Sequence, residues 1–333
     1  MLENLQTSMS HLILQPKTKL LLQTLVTLPM LHPQLFQKGI LSRSSINGVL
    51  LFGPPGTGKT MLAKALAKSS GAKFMAVSLS DIFDKYVGEG EKNVRAIFTL
   101  ARKLSPCVIF LDEVDALFGA RRQNESSASR REIMNEFMQE WDGIASNNDG
   151  IVVLGATNRP FDLDDAILRR MPRRVLVDLP SEKARKKILE VNLDGEALDD
   201  TIDIANLAKR TELYSGSDLK NMCVAAALAK VKDDLVSHHL GDSLKDISEV
   251  DQKALIQKRV SEIEDYSHVN DLTEIKISDL SLRHFEIALK EVGASLTDDT
   301  ATLVELRKWD GIYGDGAKGR GKKPDWGFGY LKK

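Results

Sequence analysis

The run Gly53-Pro54-Pro55-Gly56-Thr57-Gly58-Lys59-Thr60 fits the pattern G-x-x-x-x-G-K-[ST]. Glycines let such a loop curl until its backbone N–H groups, with the N-terminus of the helix that follows, face phosphate oxygens. Lys59 would then offset charge on the β- and γ-phosphates of a nucleotide, and Thr60 would offer its hydroxyl to Mg²⁺. Met61 continues the stretch into the helix. The expected ligands are ATP and Mg²⁺. A chance glycine turn is the bland alternative, and an apolar strand before the loop and a helical pattern after it weigh against it.

Two adjacent acids, Asp112 and Glu113, follow the apolar run Val108-Ile109-Phe110-Leu111. Carboxylates at the carboxyl edge of a parallel sheet lie where open α/β folds bind ligands. Asp112 is expected to hold Mg²⁺, through water, and Glu113 to polarise an attacking water. Alone, two acids after a strand are a solvated strand end; beside a phosphate-binding loop they read as hydrolytic. Asn158 ends a further apolar run, where it would touch the γ-phosphate and the lytic water, although asparagine at a strand end is more often a turn former.

The elements that must position these residues alternate between short apolar runs and longer amphipathic stretches, the pattern of a parallel sheet covered by helices. Strands are expected at 48–52, 73–78, 107–111, 151–156 and 174–178, with helices at 60–69, 91–103 and 130–141. Beyond Pro180 the pattern is helical, at 182–192, 202–211, 216–237 and 281–292. The expected fold class is therefore α/β, a parallel sheet sandwiched by helices and followed by a small all-α unit. Its parts are a lead-in segment (1–45), a nucleotide-binding unit (46–180), a helical unit (181–295) with a solvated charged insertion (233–279), and a terminal helix and tail (296–333). The glycine-rich, basic end, residues 311–333, is expected to be mostly disordered.

Composition narrows the function. Lys plus Arg number 46 against 47 Asp plus Glu, a formal net charge of −1, so no global positive field draws the chain to nucleic acid. The two cysteines fall within apolar or helical patterns and suit a reducing compartment rather than a disulfide framework. The apolar stretch 20–31 is too short and interrupted to span a bilayer, and the first thirty residues lack the arginines of a transit peptide. An intracellular chain without its own transmembrane segment is expected, any membrane contact coming from regions outside it or weakly from the basic tail.

These blocks, in this order, resemble the AAA ATPases over residues 47–292, in the branch holding microtubule severers and the mitochondrial-sorting translocase that extracts membrane proteins. The run from Lys59 to Lys68, Trp141-Asp142-Gly143, and Leu168-Arg169-Arg170-Met171-Pro172-Arg173-Arg174 are similar to the translocase, and to the C-terminal ATPase domain of large fungal mitochondrial proteins. The resemblance implies sheet order 5-1-4-3-2, an α-helical lid, and a homo-hexameric ring with ATP between subunits. It matches Arg170 and Arg173 to arginine fingers that reach the neighbour's γ-phosphate, with Arg169 as a third participant. A planar, permanently charged guanidinium suits that task whatever the family, though a basic strand edge is the plain alternative. It matches Lys85-Tyr86-Val87-Gly88 to a first pore loop that grips polypeptide, and residues 119–131 to a second. Gly216 and Ser217 match the start of a lid helix near adenine and ribose, while Ser215 or Ser217 would equally serve as an N-cap.

The chain departs from the family where an aromatic-acidic-Ile-Gly-Gly segment usually precedes the loop: that region reads His11-Leu12-Ile13-Leu14-Gln15-Pro16-Lys17. The reading that results is an ATP-driven machine that threads, extracts or unfolds polypeptide at the mitochondrial outer membrane. The alternative is a microtubule-severing-type remodeller, to which Lys85 and Arg121-Arg122 lend basic charge suited to acidic tubulin tails. Specific nucleic-acid binding is not expected.

Overall fold

The structure, a computed structural model, describes residues 12–36, 38–43, 47–78, 82, 89–119, 128–147, 150–240, 278–295 and 300–315. Strands β1 (Gly48–Phe52), β2 (Lys73–Val77), β3 (Cys107–Leu111), β4 (Ile151–Thr157) and β5 (Arg173–Leu176) pair in parallel in the order β2-β3-β4-β1-β5. This is the expected order 5-1-4-3-2, counted from the other edge. Every residue of β1, β3 and β4 is buried, which is why these strands read as unbroken apolar runs.

Two compact units divide the chain, Met1–Leu179 with Asp299–Lys333, and Pro180–Asp298. In the first, helices α1 (Pro16–Leu22), α2 (Leu28–Leu31), α3 (Ile40–Arg43), α4 (Lys59–Ser69), α5 (Glu89–Lys103), α6 (Val114–Phe118), α7 (Ala128–Asn147) and α8 (Asp165–Arg170) surround the sheet. Successive strand side chains point to opposite faces. Leu50, Phe52, Ile109 and Leu111 therefore join one core, with Ile97 and Phe98 of α5 and Phe137 and Trp141 of α7. Val49, Leu51, Val108 and Phe110 join the other, with Leu62 and Leu66 of α4 and Leu22, Leu25 and Val26 of the N-terminal segment.

The second unit holds α9 (Glu182–Asn192), α10 (Ile204–Arg210), α11 (Gly216–Leu240) and α12 (Leu282–Glu291). Their shared core is Leu189, Leu207, Leu219, Met222, Ala226, Leu280 and Phe285. The chain then returns to the first unit as α13 (Thr300–Tyr313), whose Leu306 and Trp309 enter the core that contains Phe52.

Two expectations need correction. The fifth strand begins at Arg173, because Val49 of β1 pairs with it. The expected solvated insertion begins too early: Asp233 and Asp234 are buried on α11, where Asp233 accepts from Arg283 Nη1 at 2.6 Å and Asp234 from the Ser278 N–H at 3.3 Å. The expected terminal helix is α13, which residues 311–313 finish, and Asp315 bonds to β5. Residues 241–277 and 316–333 lie outside the described residues.

Candidate active site

At the end of β1 the loop turns through two glycines that no other residue replaces easily. Gly53 has φ +148, and a Cβ there would stand 2.2 Å from the Val177 carbonyl oxygen. Gly58, the residue before α4, has φ +84, in the left-handed region. Between them Thr57 Oγ1 donates to Pro54 O at 2.9 Å and fixes the curl; Pro55 is exposed and Gly56 half-buried. Lys59 Nζ lies back across the loop and donates to the Gly53 and Pro54 carbonyls at 2.9 and 2.7 Å. Burial pushes its ammonium down to about 8, against the opposite pull of Asp112 and Asp115. Met61, by contrast, turns an exposed side chain outward.

Parallel pairing through β4 brings the tips of β1 and β3 to one edge of the sheet. There Thr60 Oγ1 donates to Asp112 Oδ2 at 2.9 Å, while Asp112 Oδ1 accepts the Glu113 N–H at 3.0 Å. Glu113 has φ +49, uncommon outside glycine, and it stands at the N-cap position of α6 without a side-chain hydrogen bond to the helix. A strained backbone at a residue with chemistry to perform fits the usual placing of such strain. Asn158 follows β4, and its Oδ1 is buried with no hydrogen-bond partner among the described residues.

A hydroxyl, a carboxylate, an ammonium and an N–H-rich glycine loop form a donor set suited to a polyphosphate carrying Mg²⁺. Among the described residues no group of three or more His, Cys, Asp or Glu side chains could hold a metal ion. Mg²⁺ would therefore depend on Thr60, Asp112 and the nucleotide's own oxygens.

Two residues that the motifs did not single out complete this edge. Thr157 Oγ1 donates to Asp115 Oδ1 at 2.6 Å and accepts the Arg159 N–H at 2.9 Å, tying the strand end that bears Asn158 to α6. The signal available was position: Asp115 lies one turn beyond Asp112, and Thr157 adjoins Asn158.

The arginines differ sharply from one another. Arg170, the last residue of α8, is bonded through all three nitrogens: Nε and Nη2 donate to Asp142 at 2.9 and 2.5 Å, and Nη1 to Ala166 O at 3.2 Å. Arg173 uses Nε, to Asp315 at 3.0 Å. Arg169 is exposed, with no hydrogen bond among the described residues. Arg174 is a packing residue, its guanidinium carbon 5.5 Å from the ring centres of both Trp309 and Tyr313.

In the second unit Gly216 and Ser217 open α11, and Ser215 is the residue that caps it. Its hydroxyl accepts the Asp218 N–H at 3.2 Å while Asp218 Oδ2 accepts the Ser215 N–H at 2.9 Å, a reciprocal capping box. Ser217 is exposed. Lys85, Tyr86, Val87 and Gly88 lie outside the described residues, as does most of the expected second pore loop.

Residues 49–179 match the model of the "ATPase family associated with various cellular activities (AAA)", and residues 201–245 match an AAA+ lid domain. Spastin of Gallus gallus is 41% identical over 304 residues, which is 90% of this chain and 44% of that protein. Spastin of Homo sapiens is 49% identical over 222 residues, 66% of this chain and 35% of that one. The chain thus spans less than half the length of these relatives. Among solved structures, the FIGL-1 AAA domain in complex with ADP superposes with a TM-score of 0.70 at 33% identity, covering 95% of this chain and 93% of that one. A katanin structure, reported for its self-assembly, gives 0.65 at 31% identity, covering 91% and 90%.

Proposed function

The chain belongs to the AAA ATPase family, and from that membership we propose that it is the ATP-hydrolysing motor of a microtubule-severing-type remodeller, working as a hexameric ring. The chemistry rests on one observation above the others: Thr60 and Asp112 are hydrogen-bonded at the loop, with Glu113 immediately beside them. Thr60 and Asp112 would hold Mg²⁺, which supplies positive charge to the phosphate oxygens. The loop N–H groups and Lys59 bind and orient the triphosphate. Glu113 accepts a proton from water as its oxygen attacks the γ-phosphorus, and the bond from that phosphorus to the bridging oxygen breaks to leave ADP. Asn158 Oδ1 supplies a buried acceptor for that water. Arg173 and Arg170 of a neighbouring copy offset charge on the transferring phosphoryl group. Gly216 and Ser217 are assigned to the base and ribose.

Remodelling of tubulin is supported by the relatives, because spastin is a microtubule-severing AAA protein and katanin stands among the structural neighbours. Reading the chain as a mitochondrial protein extractor uses the same motor residues, but no relative reported above supports it, so it ranks second. In either case Tyr86 and Val87 would grip an extended polypeptide, and Lys85 would favour an acidic one. The test is to mix the protein and ATP with stabilised microtubules and follow polymer loss by microscopy. ATP-dependent breakage that fails on microtubules stripped of their acidic tails is expected. Intact microtubules, alongside extraction of a membrane-inserted model polypeptide, would reverse the ranking.

A further inference from the structure

Asp315 holds the start of β5 at three points. Its Oδ2 accepts from Arg173 Nε at 3.0 Å and from the Arg174 N–H at 2.8 Å, and its own N–H donates to the Arg174 carbonyl at 2.8 Å. Neither Nη group of Arg173 makes a hydrogen bond among the described residues, and the side chain is 33% exposed. A carboxylate on Nε restrains the guanidinium and leaves the N–H donors of both Nη groups available. Those donors are the ones a phosphate would take.

The mounting behind Asp315 is a set of packed and hydrogen-bonded side chains. Arg174 packs against both Trp309 and Tyr313 of α13 and donates to the Met171 and Leu168 carbonyls at 3.2 and 2.7 Å. It thereby joins the segment carrying Arg169, Arg170 and Arg173 to that helix. Trp309 in turn meets Phe52 edge-on, ring centres 4.7 Å apart, and Phe52 is the last residue of the strand that leads into the phosphate-binding loop. Arg307 of the same helix pairs with Asp178 just beyond β5, at 3.1 Å.

We propose that Asp315 is a positioning residue for ATP hydrolysis, aiming Arg173 at the γ-phosphate held by a neighbouring copy, with α13 and Arg174 as its mounting. This rests on Arg173 being an arginine finger. A long, flexible side chain that must reach a neighbouring subunit's phosphate loses rate when it is left to sample many directions. In this role Asp315 acts through Arg173, to which its carboxylate is bonded. Its removal should therefore damage the neighbour's site and leave its own intact.

Three variants test this: Asp315→Ala, Asp315→Asn and, as reference, Arg173→Ala. Each is measured alone and mixed with Glu113→Gln, which is expected to hydrolyse at least ~100-fold more slowly but carries an unaltered Arg173 and Asp315. The readout is single-turnover hydrolysis of bound ATP, which needs no cycling of a ring. Asp315→Ala alone should lose roughly 10- to 100-fold in rate, in the range expected for misplacing a reacting group. Its affinity for ATP and its thermal midpoint should be unchanged. Asp315→Asn, which keeps one acceptor oxygen, should recover part of the rate. Mixing Asp315→Ala with Glu113→Gln should restore hydrolysis, because the partner supplies a well-aimed arginine. If the Arg173→Ala reference is restored on mixing while Asp315→Ala keeps full activity, or loses it without restoration, the role of Asp315 is refuted and the finger stands. If the reference itself is not restored, the finger assignment fails and the proposal with it.

Discussion

Above about pH 8 the Lys59 ammonium gives up its proton, because burial against the loop outweighs the pull of Asp112 and Asp115. A bound triphosphate reverses that balance, since its negative charge favours the ammonium. Nucleotide binding should therefore take up a proton in alkaline solution and weaken as pH rises through about 8. Titration calorimetry in buffers of different ionisation enthalpy measures this directly: uptake at about pH 8.5, and almost none at about pH 6.5, where the lysine is already charged. Equal uptake at both values would contradict it. Lys59, Thr60, Asp112 and Glu113 were legible in the sequence because each motif is contiguous and its spacing is dictated by phosphate geometry. Asp115, Thr157 and Asp315 were not. Their partners are distant in sequence, and a lone acid or threonine carries no pattern that names the group it will meet.

The elements were legible to a similar extent, and for physical reasons. Strands buried on both faces appear as unbroken apolar runs, so β1 and β3 could be placed to the residue. Edge strand β5 is only partly buried, and its start is set by pairing with Val49, which no local pattern reveals. Helix α13 was expected only as an unplaced terminal helix, and its docking depends on Trp309 meeting Phe52. The start of α11 shows a further element-level consequence. Burial alone would raise the Asp218 carboxyl, but hydrogen bonds from Ser295 and Ser215 outweigh it and hold the group below its ordinary value. A depressed carboxyl contributes stability that is complete above its unfolded-state value, near pH 4, and is lost as pH falls through the folded one. Asp218→Asn should lower the thermal midpoint at neutral pH by about 2–4 °C, the scale of a lost helix cap, and should flatten the acid decline. An unchanged midpoint, or an identical acid decline, would show that the cap contributes nothing.

At the scale of the whole molecule, the sequence indicates an ordinary folded chain with a formal net charge of −1, and among the described residues no helix is long and apolar enough to cross a membrane. Sheet order and family could be read from the motifs. The branch could not, since severers and translocases share the motor residues and differ in loops that motifs do not fix; the similarity to spastin now favours the severing side. Arg170 illustrates why the single chain is an incomplete guide to the assembly. Its guanidinium is held by Asp142 on one side and by Ala166 on the other, so turning its Nε–Nη2 edge to a neighbour would mean exchanging a carboxylate for a phosphate. Arg173 needs no such exchange at either Nη. Both assignments presuppose that ATP is hydrolysed at the edge where Thr60, Asp112 and Glu113 meet. The direct test is the ATP turnover of Glu113→Gln, measured beside its ATP affinity and its assembly on ATP. The expected result is binding and assembly like those of the native chain, with turnover at least ~100-fold slower, as when a positioned general base is lost. Near-native turnover by that variant would contradict the account.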